Sequence, residues 1–118
     1  MSEEPASLID EEVLNSLKEA IGDKVNHIVG VYLDDVPKNL QSMKEALAQQ
    51  DYETVGRFAH SLKSSSANIG VMRVSQLAAN LERSIQQGTM DGGQISSAVS
   101  GLESTFAQSR PILINYIG

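Results

Sequence analysis

His60 is the residue on which chemistry can be built. An imidazole is a nucleophile near neutral pH because much of it is uncharged there. The chain has two histidines and no cysteine, so a thiolate nucleophile, a cysteine zinc site and a disulfide framework are excluded. Lys63 follows His60 by three residues, which on a helix puts it one turn on, within reach of anything attached to the ring. Other chemistries fare worse. The serines beside His60 are helical neighbours without an evident oxyanion site, so a hydrolase triad has no support. A di-iron bundle needs Glu-x-x-His pairs, but Lys24 and Arg57 stand three residues before His27 and His60. His27 reads as a solvated or boundary residue. No carboxylate cluster surrounds His60, and we expect no metal and no cofactor in this domain. Neither Gly-x4-Gly-Lys-Ser/Thr nor Gly-x-Gly-x-x-Gly occurs, so ATP binding and autophosphorylation are not expected.

The elements that must position His60 are helices. Apolar residues recur at spacings of three and four, and no strand alternation appears. Asp10 caps a first helix through Val13, Leu14, Leu17 and Ile21, stopped near Gly22. A second helix runs from about Lys24 to Gln49 on a stripe of Val25, Val29, Leu33, Val36, Leu40, Met43 and Leu47. Pro37 falls inside it and is expected to kink it, because the stripe continues in phase. Asp51 caps a third helix to about Asn68, stopped by Gly70. A fourth covers about Met72 to Gln87 and stops at Gly88. Asp91-Gly92-Gly93-Gln94 has the form of a capping box for a fifth helix, expected to end before Pro111. Short connections make sequential helices antiparallel neighbours. The expected fold is all-α, an up-and-down antiparallel four-helix bundle preceded by a short N-terminal helix. The bundle occupies residues 8–110, with tails at 1–7 and 111–118.

On the third helix, with Leu62 at the centre of the buried stripe, Val55, Phe58, Ala59, Ser65, Ser66 and Ile69 lie within roughly 60° of it, whereas His60 lies roughly 160° away. His60 should therefore face solvent. Its face-mates are Gly56, Arg57, Ser64 and Ala67. Three of these four are small, so a large partner can approach the ring. A hairpin turning at Gly70 can bring Glu82, at the boundary of the fourth helix, back beside the third.

The 118 residues suit one domain with an aliphatic core, since Trp is absent and Phe and Tyr are few. The net charge of -6 argues against nucleic acid as a partner. The charge is uneven. Between Thr54 and Met90 stand Arg57, Lys63, Arg73 and Arg83 against Glu82 alone. An acidic chain thus has a locally basic middle, suited to an acidic or phosphorylated partner or equally to an ordinary fluctuation of charge. No apolar run reaches the ~18 residues of a membrane span, and the acidic start lacks the form of a secretory signal. A cytoplasmic domain without membrane contact of its own is expected, and its parent chain can still be membrane-anchored.

The stretch Ala59-His60-Ser61-Leu62-Lys63-Ser64-Ser65-Ser66-Ala67-Asn68-Ile69-Gly70 resembles the signature of the histidine-containing phosphotransfer (HPt) domain family. That signature has Ala-His, Leu-Lys, a small residue and Ser, then Gly ten residues after the His. The continuation to Leu81-Glu82 and the helical layout over roughly 8–109 are similar too. The resemblance implies that His60 is the phosphorylated nucleophile and Lys63 the cation near the phosphoryl group. It also implies that Gly70 is the turn glycine and that Glu82 hydrogen-bonds and orients the imidazole. Arg57, Gly56, Ser64 and Ala67 would then face the docking partner. Ser64 departs from the pattern, because the family usually has Gly after the lysine, and its hydroxyl lies on the approach face. The implied partners are response-regulator receiver domains or a hybrid sensor histidine kinase, with Mg²⁺ carried by the receiver. The rival reading is a non-catalytic adaptor that docks a signalling partner through its basic middle.

Overall fold

The Asp10 side chain starts the first helix: its carboxylate accepts the Glu12 N–H at 3.0 Å, satisfying one of the donors that every helix start leaves unpaired. The computed structural model describes residues 6–117. Over them run α1 (Glu11–Ile21), α2 (Lys24–Ala48), α3 (Tyr52–Asn68), α4 (Met72–Gln87) and α5 (Gly92–Ile117). Asp51 caps α3 twice over, accepting the Thr54 N–H at 3.2 Å and the Thr54 hydroxyl at 2.6 Å. The Thr54 hydroxyl, then its N–H, hold that carboxyl below its usual range. The capping box of α5 forms as expected: Gln94 N–H donates to Asp91 at 2.8 Å, and Asp91 N–H donates to Gln94 at 2.9 Å.

α3 packs between α2 and α4, α5 closes the ring against both, and α1 lies on α2. The core is aliphatic, built on Leu14, Val29, Met43, Leu62, Leu81, Leu102 and Leu113. The buried stripes follow the expected periodicity with local differences. On α2, Tyr32 and Ala46 are buried while Leu33 and Leu47 are half-buried, and on α3 Phe58 is half-buried. Tyr32 meets Phe106 edge to face, with ring centroids 6.0 Å apart. Its hydroxyl shares a 2.8 Å hydrogen bond with that of Ser66, so the two buried polar groups on α2 and α3 satisfy each other. Burial pushes the Tyr32 hydroxyl up to about 12, despite the opposing Ser66 bond.

One expectation about the chain ends is corrected. The fifth helix does not end before Pro111 but continues to Ile117. Pro111 and Ala107, whose carbonyl loses its N–H partner, are both exposed, so water can take that bond and the lost donor faces no core. Beyond the proline, Leu113 is fully buried and the Tyr116 hydroxyl reaches Asn15 of α1 at 3.3 Å. The interior stripe holds the last turns in place. Most of the expected N-terminal tail, residues 1–5, lies outside the described residues. At its inner edge Ala6 is fastened to α4: its N–H donates to Gln76 at 2.9 Å and its carbonyl accepts from Arg73 at 3.0 Å.

Gly70 joins α1 to the α3–α4 turn. It has φ +83, and a Cβ there would lie 2.5 Å from the Asp10 carbonyl oxygen and 3.0 Å from Val13 Cβ. The Asp10 N–H donates to its carbonyl at 2.7 Å. Gly70→Ala should therefore cost more than about 2 kcal/mol, from the strained φ and the displaced backbone together. Urea denaturation showing a loss under about 0.5 kcal/mol, within the range of an ordinary surface change, would contradict this account of the turn. Tyr32→Phe should cost about 1 kcal/mol near neutrality. The raised Tyr32 pKa favours the protonated fold, so its stability is fully present below pH 10.0 and declines as pH rises toward about 12. Denaturation measured across that window should show a steeper alkaline loss for the wild type than for the Phe variant. Parallel curves would reject the assignment.

Candidate phosphotransfer site

The α3–α4 hairpin sets the site. His60 lies ten residues before Gly70 and Glu82 twelve after it, so the antiparallel return brings the two side by side. The Ser75 hydroxyl donates to the Lys63 carbonyl at 2.8 Å, tying the two helices near the site. Ser75 is buried and Ser66 fully so, and these small residues let the helices approach closely.

His60 projects outward, its side chain 60% exposed, while Glu82 at the helix boundary is 14% exposed. Glu82 bridges two partners. One carboxylate oxygen lies 2.6 Å from His60 Nδ1, and the other accepts from Lys63 Nζ at 2.7 Å. The Lys63 ammonium, reinforced by His60 and opposed by partial burial, holds the Glu82 carboxyl below its usual range. Glu82 is therefore ionised throughout the neutral range. An ionised carboxylate only accepts hydrogen bonds. Nδ1 must then carry the proton, and in the neutral ring Nε2 keeps the lone pair and points to solvent.

Of the residues expected at this face, Arg57 and Ser64 are exposed, whereas Gly56 and Ala67 are half-buried. Gly56 is turned toward α4, and a Cβ there would touch the Ile85 side chain at 3.5 Å. Its missing side chain thus opens a groove beside His60, floored by Tyr52 and Ile85 and walled by Arg57 and Glu82. On the other flank, Ile28 and Val31 of α2 are large apolar residues left 40% and 44% exposed, and they border a second groove with Ser61 and Ser65. Sequence reasoning passed over both, although their place off the α2 stripe marks them. His27 is exposed and takes no part. Among the described residues no three His, Cys, Asp or Glu side chains gather as a metal site, and no helix is long and apolar enough to cross a membrane.

The sequence model of the Hpt domain matches residues 27–109. The chain is 30% identical over 96 residues to Sensor protein TorS of Escherichia coli (strain K12), an alignment that covers 80% of this chain and 10% of TorS. The chain thus matches about a tenth of that relative's length. The crystal structure of histidine-containing phosphotransfer protein B (HptB) from Pseudomonas aeruginosa PAO1 superposes with a TM-score of 0.88 at 26% identity, covering 95% of this chain and 96% of that one. A rice protein of the histidine-containing phosphotransfer type shares the fold, with a TM-score of 0.80 at 22% identity over 94% of this chain and 80% of its own.

The Glu82 contact fixes the tautomer. Ring-nitrogen NMR of the neutral imidazole should find the proton of His60 on Nδ1, and Glu82→Ala should give a mixture of the two tautomers. A wild-type ring protonated on Nε2 would refute the orientation described. The depressed Glu82 pKa also contributes stability that is present above the ordinary carboxyl range and lost as pH falls through the lower folded value. Wild type should lose stability faster than Glu82→Gln as pH falls through and below the ordinary carboxyl range, and matching acid limbs would rule this out.

Proposed function

The chain belongs to the Hpt domain family, and from that premise we propose that it is a phosphorelay intermediate which accepts a phosphoryl group on His60 from a receiver-domain aspartate and passes it to another receiver. The observation that carries this reading is an exposed imidazole whose Nδ1 is held by an ionised carboxylate, leaving Nε2 free. In the forward step Nε2 attacks the phosphorus of the aspartyl phosphate. The new N–P bond forms as the P–O bond to the aspartate breaks, and the carboxylate leaves with its electron pair. Nδ1 keeps its proton, so the phosphorylated ring is cationic and Glu82 offsets that charge. Return of the electron pair to Nε2 lets the phosphoryl group leave for the next aspartate. Phosphoryl transfer needs positioning and charge stabilisation more than covalent help. Glu82 supplies the first, and Lys63 lends positive charge to the same cluster.

Arg57, Ser64 and Ala67 form the approach face on α3, and Gly56 opens the groove beside it. Ile28 and Val31 add apolar surface on one side, of the kind that marks an interaction site. On this reading the partners are receiver domains of response regulators or of a hybrid sensor kinase, and Mg²⁺ belongs to the receiver. On the same reading the module works in the cytoplasm, alone or within a larger membrane-anchored kinase, and does not itself transfer a phosphoryl group from ATP to His60. The adaptor reading gives no role to the Glu82-held ring.

The test is transfer from phosphorylated receiver domains. Wild type should gain acid-labile, alkali-stable phosphate and His60→Gln none. Glu82→Ala should label roughly tenfold more slowly, the ~1.4 kcal/mol of a lost orienting hydrogen bond. Equal labelling of wild type and His60→Gln, or no labelling from any of a broad panel of receivers, would sink the proposal.

A further inference from the structure

A phosphoryl group on His60 needs a cation, and of the two that stand three residues from it in sequence, Lys63 already has a partner. Lys63 Nζ is bonded to one Glu82 oxygen at 2.7 Å while the other oxygen holds His60 Nδ1 at 2.6 Å. Nδ1 and Nε2 leave the imidazole on nearly opposite sides. With Nδ1 directed at the Glu82–Lys63 pair, a group attached to Nε2 is directed away from it. Helical geometry says what lies on the other side. At about 100° per residue, Lys63 sits roughly 60° around α3 from His60 in one sense and Arg57 roughly 60° in the other. Arg57 is one turn before His60, within side-chain reach, and both line the groove floored by Tyr52 and Ile85.

Arg57 also differs from the other cations of the basic middle. Arg73 is bonded to the Ala6 carbonyl at 3.0 Å, and Arg83 to Asn80 at 3.2 Å. Arg57 has only a long 3.4 Å contact to the Thr54 hydroxyl, which is itself committed to Asp51 at 2.6 Å. Glu53, one turn before Arg57, lines the same groove, but among the described residues no ion pair joins them. Two further carboxylates bear on this face: Asp51, whose charge acts on Arg57 across the Thr54 hydroxyl, and Asp35 of α2, which borders the second groove beyond Ser61. Apart from the long Thr54 contact, the Arg57 guanidinium keeps its donors available, in the planar fork that suits phosphate oxygens.

Resting on the relay reading, we propose that Arg57 is the residue that binds the phosphoryl group on His60 Nε2, and that Lys63 is a positioning residue that acts through Glu82. Two cations flank the ring with separate tasks, one holding the group that arrives and the other holding the carboxylate that aims the ring.

The experiment uses phosphoramidate, a small donor that removes receiver docking from the measurement. His60 Nε2 attacks its phosphorus, the P–N bond breaks and ammonia leaves. Labelling is followed by phosphorus NMR, and the phosphohistidine signal is then titrated with pH. A neighbouring cation lowers the pKa of a phosphoryl oxygen. Arg57→Gln should raise the phosphoryl titration midpoint by about half a unit and slow labelling about threefold or more, and Arg57→Lys should recover part of both. Lys63→Gln should leave the midpoint in place and instead disturb the His60 tautomer seen by ring-nitrogen NMR. The proposal is overturned if Arg57→Gln titrates and labels like wild type, or if Lys63→Gln gives the larger midpoint shift. In both of those outcomes the wild type still labels, so the relay reading stands. A wild type that takes no phosphate from phosphoramidate or from receivers overturns both.

Discussion

A hairpin of two antiparallel helices leaves little freedom over which residues face each other once its turn is placed, and here the turn is placed at Gly70. Its positive φ and its closeness to the Asp10 carbonyl require a residue without a side chain. From that point α3 and α4 run back along each other, tied by the Ser75–Lys63 bond, and Glu82 is delivered to His60. A slip of one residue would turn Glu82 by about 100° around its helix and remove its hold on the ring. Much of the remaining fold supports this register. The α1 segment closes over the turn through the Asp10–Gly70 bond, and α2 packs on α3 while α5 packs on α4 and on α2.

Glu82 reconciles two requirements that oppose each other. On the relay reading His60 must be open to large partners and cannot be buried, yet an exposed side chain samples many orientations. Placing the nucleophile outside and its orienting carboxylate at the half-buried helix boundary resolves this. Partial burial would on its own favour the neutral carboxyl. The Lys63 ammonium reverses that preference, and the ionised form is the one that must accept from Nδ1. Lys63 thereby influences the ring without touching it.

The polar details are concentrated where helices must approach closely. Tyr32 and Ser66 satisfy one another between α2 and α3, and Ser75 serves the same end between α3 and α4. Small residues on α3 do two jobs. Facing inward, Ala59 and Ser66 let α2 and α4 come near, and at the boundary Gly56 opens the groove beside His60. A bulkier side chain at any of these positions would move a neighbouring helix before it altered the ring itself.

Periodicity in the sequence was enough to determine five helices, their caps at Asp10, Asp51 and Asp91, the stop at Gly70 and the outward direction of His60, because these depend on local backbone rules and the 3.6-residue repeat. The His60–Lys63–Gly70–Glu82 pattern also identified the family. What required the folded chain was everything that depends on which partner a side chain finds across a helix boundary. The continuation of α5 through Pro111 was decided by the burial of Leu113, a tertiary gain that local proline rules do not include. The half-burial of Gly56 against Ile85 and the exposure of Ile28 and Val31 follow from how neighbouring helices are rotated, and a single helix's pattern does not specify that rotation. The pairing of Lys63 with Glu82 joins residues 19 apart in the chain. Sequence spacing placed Lys63 beside His60, and only the position of α4 decided that its charge is held by Glu82.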